Sequence, residues 1–207
     1  MVDTQQGVTV DVHEGTIQKV AARLKERNID VVIVDGGDAA RQAVLERIPE
    51  GAEVHSGKSK TLEDIGVVKE LQESGRYDAL RPRYLKMDRK TQGREMRKMV
   101  AAPDFMVGSV QALTEDGVLV VVSATGSQLG PYAAGAGKLI LVVGSQKIVP
   151  DLDAAFRRIH DEVVPWEDAR LRATLGAGTI VGKTLLIERE WTAGRTTVIL
   201  VRERIGV

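Results

Sequence analysis

The sequence predicts an α/β fold: a three-layer, mainly parallel sheet with helices on both faces, a helical N-terminal piece and a C-terminal β-hairpin. Three observations predict it. Residues 31–34, 118–122 and 139–143 are short, β-branched apolar runs, the pattern of strands buried on both faces. Segments with apolar residues at helical spacing lie between such runs. Turns rich in Gly, Ser or Asp close the runs, which is how an open α/β sheet places a site at its strand ends.

Taken in order, residues 1–12 are polar or alternating and read as a loose end or short edge segment. Ile17, Val20, Ala21 and Leu24 mark a helix over 14–28. Residues 1–28 thus form an N-terminal extension and helix, and 29–207 one α/β domain. A strand over 30–35 leads to Gly36 and Gly37, and Asp38 is placed to cap a helix running to about residue 47. A short strand over 52–55 enters a Gly/Ser-rich turn. Leu62, Ile65, Val68 and Leu71 then define a helix to Gly75, with Thr61 and Asp64 at capping-box spacing. Residues 76–87 are basic and read as irregular, with Pro82 interrupting any helix. The next helix, 88–101, carries Arg89, Lys90, Arg94, Arg97 and Lys98 on its polar face. An amphipathic helix from Asp151 is expected to close at Pro165. Two strand-like runs, 184–190 and 196–202, are joined by Trp191-Thr192-Ala193-Gly194-Arg195 as a hairpin turn.

Composition excludes several functions. Lys plus Arg and Asp plus Glu are 29 each, which argues against nucleic-acid binding through bulk charge. Seven aromatic residues are too few for a base-stacking platform. There is no cysteine, so disulfides, thiolate catalysis and a Cys-ligated iron–sulfur cluster are impossible, and no intrinsic cofactor is expected. His13, His55 and His160 are too scattered to suggest a metal site. No apolar run approaches the ~20 residues of a membrane span, and the N-terminus does not read as a signal peptide. A cytoplasmic protein without membrane insertion is the expectation.

Four polar turns adjoin the strands. Ser56, Gly57, Lys58, Ser59 and Thr61 crowd hydroxyls and ammonium groups where a helix begins, the recipe for holding an anion. A helix cap alone would use the same residues. The turn Thr114, Glu115, Asp116, Gly117 brings two carboxylates to a strand mouth. Glu115 is the candidate base or nucleophile, while Asp116-Gly117 also suits a plain β-turn. The loop Thr125, Gly126, Ser127, Gln128 offers hydroxyls and backbone N–H groups. Lys147, beyond the 139–143 strand, can pair with an anion or lose its proton if buried.

Three strings go further: Ser56-Gly57-x-Ser59-x-Thr61-Leu62-x-x-Ile65-Gly66, the run from Ser109 to Gly117, and the run from Val142 to Val149 followed by a helix. With the closing 198–206 segment, they resemble the lactate-utilisation (LUD) domain family. The resemblance implies a fold like that of ribose-phosphate isomerase, glucosamine-phosphate deaminase and the CoA-transferases. It implies a phosphate-type turn at 52–62 and a carboxylate at Glu115 to Gly117. It also implies a role in bacterial lactate oxidation beside iron–sulfur partner subunits. Two features depart from the family. Gly126-Ser127-Gln128 stands where many relatives have Gly-Asn-Arg, and residues 171–195 lack the cysteines some relatives carry.

Three functions follow as expectations. The first is a protein of carboxylate metabolism that binds a small anionic metabolite. The second is an isomerase, hydrolase or acyl-CoA transferase using Glu115. The third is a non-catalytic subunit docked to an iron–sulfur oxidoreductase. A second copy of the chain is a further candidate partner.

Overall fold

The computed structural model describes residues 13–207; the expected loose segment 1–12 lies outside them. Helix α1 (Glu14–Glu26) buries Ile17, Val20, Ala21 and Leu24, the single stripe its spacing predicts. Asn28, in the left-handed region at φ 60°, turns the chain into β1 (Asp30–Val34). Helix α2 (Gly37–Leu45) begins after Gly36, and Asp38 does not cap it. Strand β2 (Glu53–Ser56) feeds α3 (Lys60–Asp64), whose cap is Ser59, accepting from Leu62 N at 3.4 Å. Gly66, at φ +71°, separates α3 from α4 (Val67–Glu73), so the predicted single helix is two.

The 76–87 stretch is more ordered than its composition suggests. It holds β3 (Asp78–Ala79) and α5 (Leu80–Tyr84). Pro82 falls in the first turn of α5, where its missing N–H has no helical partner to lose. Then follow α6 (Gly93–Ala101), β4 (Phe105–Gly108), β5 (Ala112–Thr114), β6 (Leu119–Ser123), β7 (Lys138–Gly144) and β8 (Ile148–Val149). Helix α7 (Leu152–Arg158) is capped by Asp151, which accepts from Ala154 N at 2.7 Å. Pro165 does not end this helical run. A wide turn at Ile159–Val163, in which Val164 N bonds to Ile159 O, carries it into α8 (Val164–Leu175). Pro165 sits in the first turn of α8, just after the wide turn. Strands β9 (Lys183–Ile187) and β10 (Thr196–Val201) complete the chain.

The main sheet has six parallel strands in the order β1-β10-β7-β4-β2-β3. One face packs on α2, α3 and α4 through Val44, Leu62, Val67, Val142 and Ile199. The other face meets α1 and a second, four-stranded sheet, β8-β5-β6-β9, in a core holding Leu24, Leu113, Leu119, Leu141 and Leu200. Ala155 and Ile159 cover the outer side of that second sheet.

The C-terminal hairpin is corrected. Both strands are present, but β9 pairs antiparallel with β6 while β10 lies parallel between β1 and β7. The joint does turn, with Arg195 N donating to Thr192 O at 3.3 Å, but the two strands take different neighbours and the Arg195 side chain reaches away from the turn. It donates to Glu190 Oε1 at 2.6 Å and to the carbonyls of Pro131, Tyr132 and Ala136.

Candidate functional site

A cavity of about 730 Å³ opens where the carboxyl ends of β2, β4 and β7 meet. The parallel strands create it, since each chain segment leaves the sheet at the same edge. His55 and the turn from Gly57 to Thr61 follow β2, Ser109 and Val110 follow β4, and Lys147 follows β7. Gln111 and Val122 to Thr125 enter from the second sheet.

Lys147 is 3% exposed. Its ammonium donates to Thr61 Oγ1 at 2.7 Å, Ser109 Oγ at 2.9 Å and Val110 O at 3.2 Å. Ser109 in turn donates to Val142 O at 2.7 Å, so its hydroxyl is held as an acceptor toward the lysine. Among the described residues, no carboxylate touches the ammonium. Burial pushes its pKa down to about 7, with the Arg158 charge adding to the effect and Asp64 opposing it. All three of its N–H donors are engaged, so the protonated lysine attracts an anion through its charge, and the neutral one can take up a proton. The Thr61 hydroxyl can rotate to donate to the neutral amine, so this cradle serves both forms.

His55 is also buried, and burial together with the nearby Arg81 guanidinium holds its pKa at about 4. Its Nδ1 has no partner among the described residues, and its ring stands edge-on to Tyr84. Tyr132, from the segment after Gln128, closes the floor. Its hydroxyl accepts from Ser109 N at 3.1 Å and faces Ser109 O at 3.2 Å. A Cβ at Gly108 would overlap that hydroxyl at 1.6 Å, so glycine is required there for the ring to seat.

The lining carries seven Lys and Arg residues against two Glu. One of the two, Glu167, is clamped by Arg170 at 2.5 and 2.7 Å. The wall is therefore cationic although the whole chain is neutral, and an anion is the charge it favours.

The predicted site residues divide. Gly57, Lys58, Ser59, Thr61, Thr125, Ser127, Gln128 and Lys147 all line the cavity. Ser56 does not; it is buried and accepts from Gln72 Nε2 at 3.0 Å. Gly126 shapes its loop at φ +84°, its N–H bonding Ser123 Oγ. Thr114, Glu115, Asp116 and Gly117 lie outside the lining. Their turn joins β5 to β6, and the cavity is at the other end of β6, roughly 15–20 Å along the strand. There Glu115 pairs with Lys19 of α1 at 2.8 Å and Asp116 with Arg27, the residue just after α1, at 3.2 Å. Thr114 is buried and its Oγ1 accepts from Val118 N at 2.9 Å.

Sequence reading missed Arg81, Tyr84, Arg89, Arg97, Trp166 and Arg170 as lining residues. A signal existed in the basic stretch 76–98, but which of its cations face inward depends on where α5 and α6 pack.

The match of the LUD domain family model covers residues 17–201, nearly the whole chain. The chain belongs to the LUD domain family. No curated protein matches this LUD domain at a significant level. Among solved structures, it is similar to a DUF162 family protein from Deinococcus radiodurans at 12% identity. That match covers 90% of this chain and 96% of the other, with a TM-score of 0.51. D-ribose-5-phosphate isomerase in complex with phospho-erythronic acid matches at 17% identity over 55% of this chain and 53% of its own, with a TM-score of 0.36. eIF2B delta from Chaetomium thermophilum matches at 15% identity over 70% and 56%, with a TM-score of 0.37. The Deinococcus structure shares the fold from end to end.

Proposed function

We propose that this LUD domain binds an organic carboxylate in the cationic cavity and acts in carboxylate metabolism in the cytoplasm, with lactate utilisation as the setting the family suggests. The observation that carries this reading is Lys147. A buried ammonium at the cavity wall, with no carboxylate partner among the described residues, favours an anionic ligand. Lys58 and Ser59 offer a second contact from the β2–α3 turn, and Arg81 a third.

Oxidation of lactate to pyruvate releases two electrons and two protons. Lys147, poised near neutrality, would accept the hydroxyl proton. The Cα–H bond would break with its hydrogen leaving as a hydride, which carries the second proton and both electrons to a hydride-accepting group on a partner subunit of the iron–sulfur oxidoreductase class, because this chain has no cysteine to hold a cluster. An isomerase or transferase role built on Glu115 has no support in the geometry, since that carboxylate faces Lys19 and not the cavity.

Calorimetric titration with lactate and with pyruvate tests the binding. Saturable binding is expected in the unaltered chain, weakened at least tenfold in Lys147→Met and less in Lys58→Ala. If neither acid binds, or if both variants bind as the unaltered chain does, the site is misassigned.

A further inference from the structure

The cavity holds more than charge. Helices α6 and α8 hold no fully buried residue, and only Val164 of α8 packs on a core cluster, yet both carry further apolar residues. Met96 and Val100 of α6 and Trp166 and Leu171 of α8 line the cavity. Six large apolar side chains are exposed among the described residues, and three of them, Leu85 (56%), Trp166 (36%) and Ile180 (71%), line this same cavity. Scattered exposed apolar residues are ordinary; half of them converging on one concavity is not. The volume points the same way. About 730 Å³ lies in the range of cavities that bury a drug-sized ligand, whereas lactate has only six heavy atoms.

We infer that the ligand is an amphiphilic carboxylate: an anionic head held by Lys147 and Lys58, and an apolar body several carbons long lying against Trp166, Ile180, Met96 and Val100. This rests on the carboxylate-binding reading above and deepens it: acids longer than three carbons bind the same site more tightly than lactate or pyruvate. Each element serves one part of such a molecule. The strand-end turns supply fixed cations and hydroxyls, and α6 and α8 supply apolar surface that the core leaves uncovered. Burying a methylene against that surface favours binding by about fourfold, so chain length is read directly as affinity.

The test is a calorimetric series on the full chain with pyruvate, α-ketobutyrate, α-ketovalerate, α-ketocaproate and phenylpyruvate, plus phenylacetone as the aromatic ketone without a carboxylate. Affinity should rise about fourfold per methylene along the straight-chain acids, and phenylacetone should bind at least tenfold more weakly than phenylpyruvate. Trp166→Ala and Ile180→Ser should each reduce the α-ketocaproate to pyruvate affinity ratio, whereas Trp191→Ala, 97% exposed and outside the cavity, should preserve it. Equal affinity along the series, with pyruvate still dependent on Lys147, overturns the apolar body and leaves the anion site standing. Equal binding of phenylacetone and phenylpyruvate overturns the anionic head. Absence of binding by every acid rejects both readings.

Discussion

The Lys147 ammonium donates to the Thr61 hydroxyl at 2.7 Å, joining the exit of β7 to the start of α3 across 86 residues of sequence. That bond ties together two strand-end turns of one sheet edge and fixes the cation at the cavity wall. Gly206 lies against the same threonine, where a Cβ on it would overlap Thr61.

The buried lysine makes stability depend on pH. Its pKa is about 7 in the folded chain and near 10.5 when unfolded. Between these values the unfolded state binds more protons, so stability rises with pH across that window and is flat with respect to this group below it. Lys147→Met should remove a gain of a few kcal/mol between about pH 7 and 10. Urea unfolding of both proteins at several pH values reads this difference directly. Parallel stability curves for the two would contradict the assigned burial.

Gly206 is at φ +80°, and a Cβ there would lie 2.1 Å from Thr61 Oγ1. Gly206→Ala should therefore destabilise the chain by about 1–3 kcal/mol through backbone strain and displacement of Thr61. It should also weaken pyruvate binding, since Lys147 loses one of its three acceptors. Thermal unfolding together with calorimetry checks both effects. A fully stable variant with unaltered affinity would show that the tail does not brace the lysine.

Arg195 and Glu190 form an ion pair at 2.6 Å with side chains about nine-tenths buried. Thr196 Oγ1 donates to the same carboxylate oxygen at 2.7 Å. Arg195→Ala should cost about 3–5 kcal/mol, because it strands a buried carboxylate and frees the carbonyls of residues 131, 132 and 136. The double variant with Glu190→Ala should cost less than the sum of the single changes. Strict additivity in urea unfolding would mean the two groups act independently.

Glu115→Gln should leave carboxylate binding unchanged and shift stability by no more than about 1 kcal/mol, as expected of a half-exposed pair with Lys19. Any tenfold loss of affinity would place the acidic turn in the site after all.

Residue chemistry alone specified much of this protein. The stripe of Ile17, Val20 and Leu24, the β-branched runs at 30–34 and 139–143, and the Gly/Ser turn before α3 are local patterns, and each formed the element it predicts. Lys147 was recognisable as a strand-end cation because the strand before it is apolar on both faces. The strand partnerships were not legible. Two β-rich segments joined by a Gly-containing turn look like a hairpin, but β9 pairs with β6 and β10 lies between β1 and β7, while Arg195 binds distant carbonyls. Likewise, two carboxylates beside a buried strand read as a site in sequence. Only the antiparallel pairing of β5 with β6 puts them against α1, at the end of β6 away from the cavity. Periodicity and turn chemistry act over a few residues. Which strand ends meet, and which of many cations then face a common space, is set by long-range packing that no local pattern encodes.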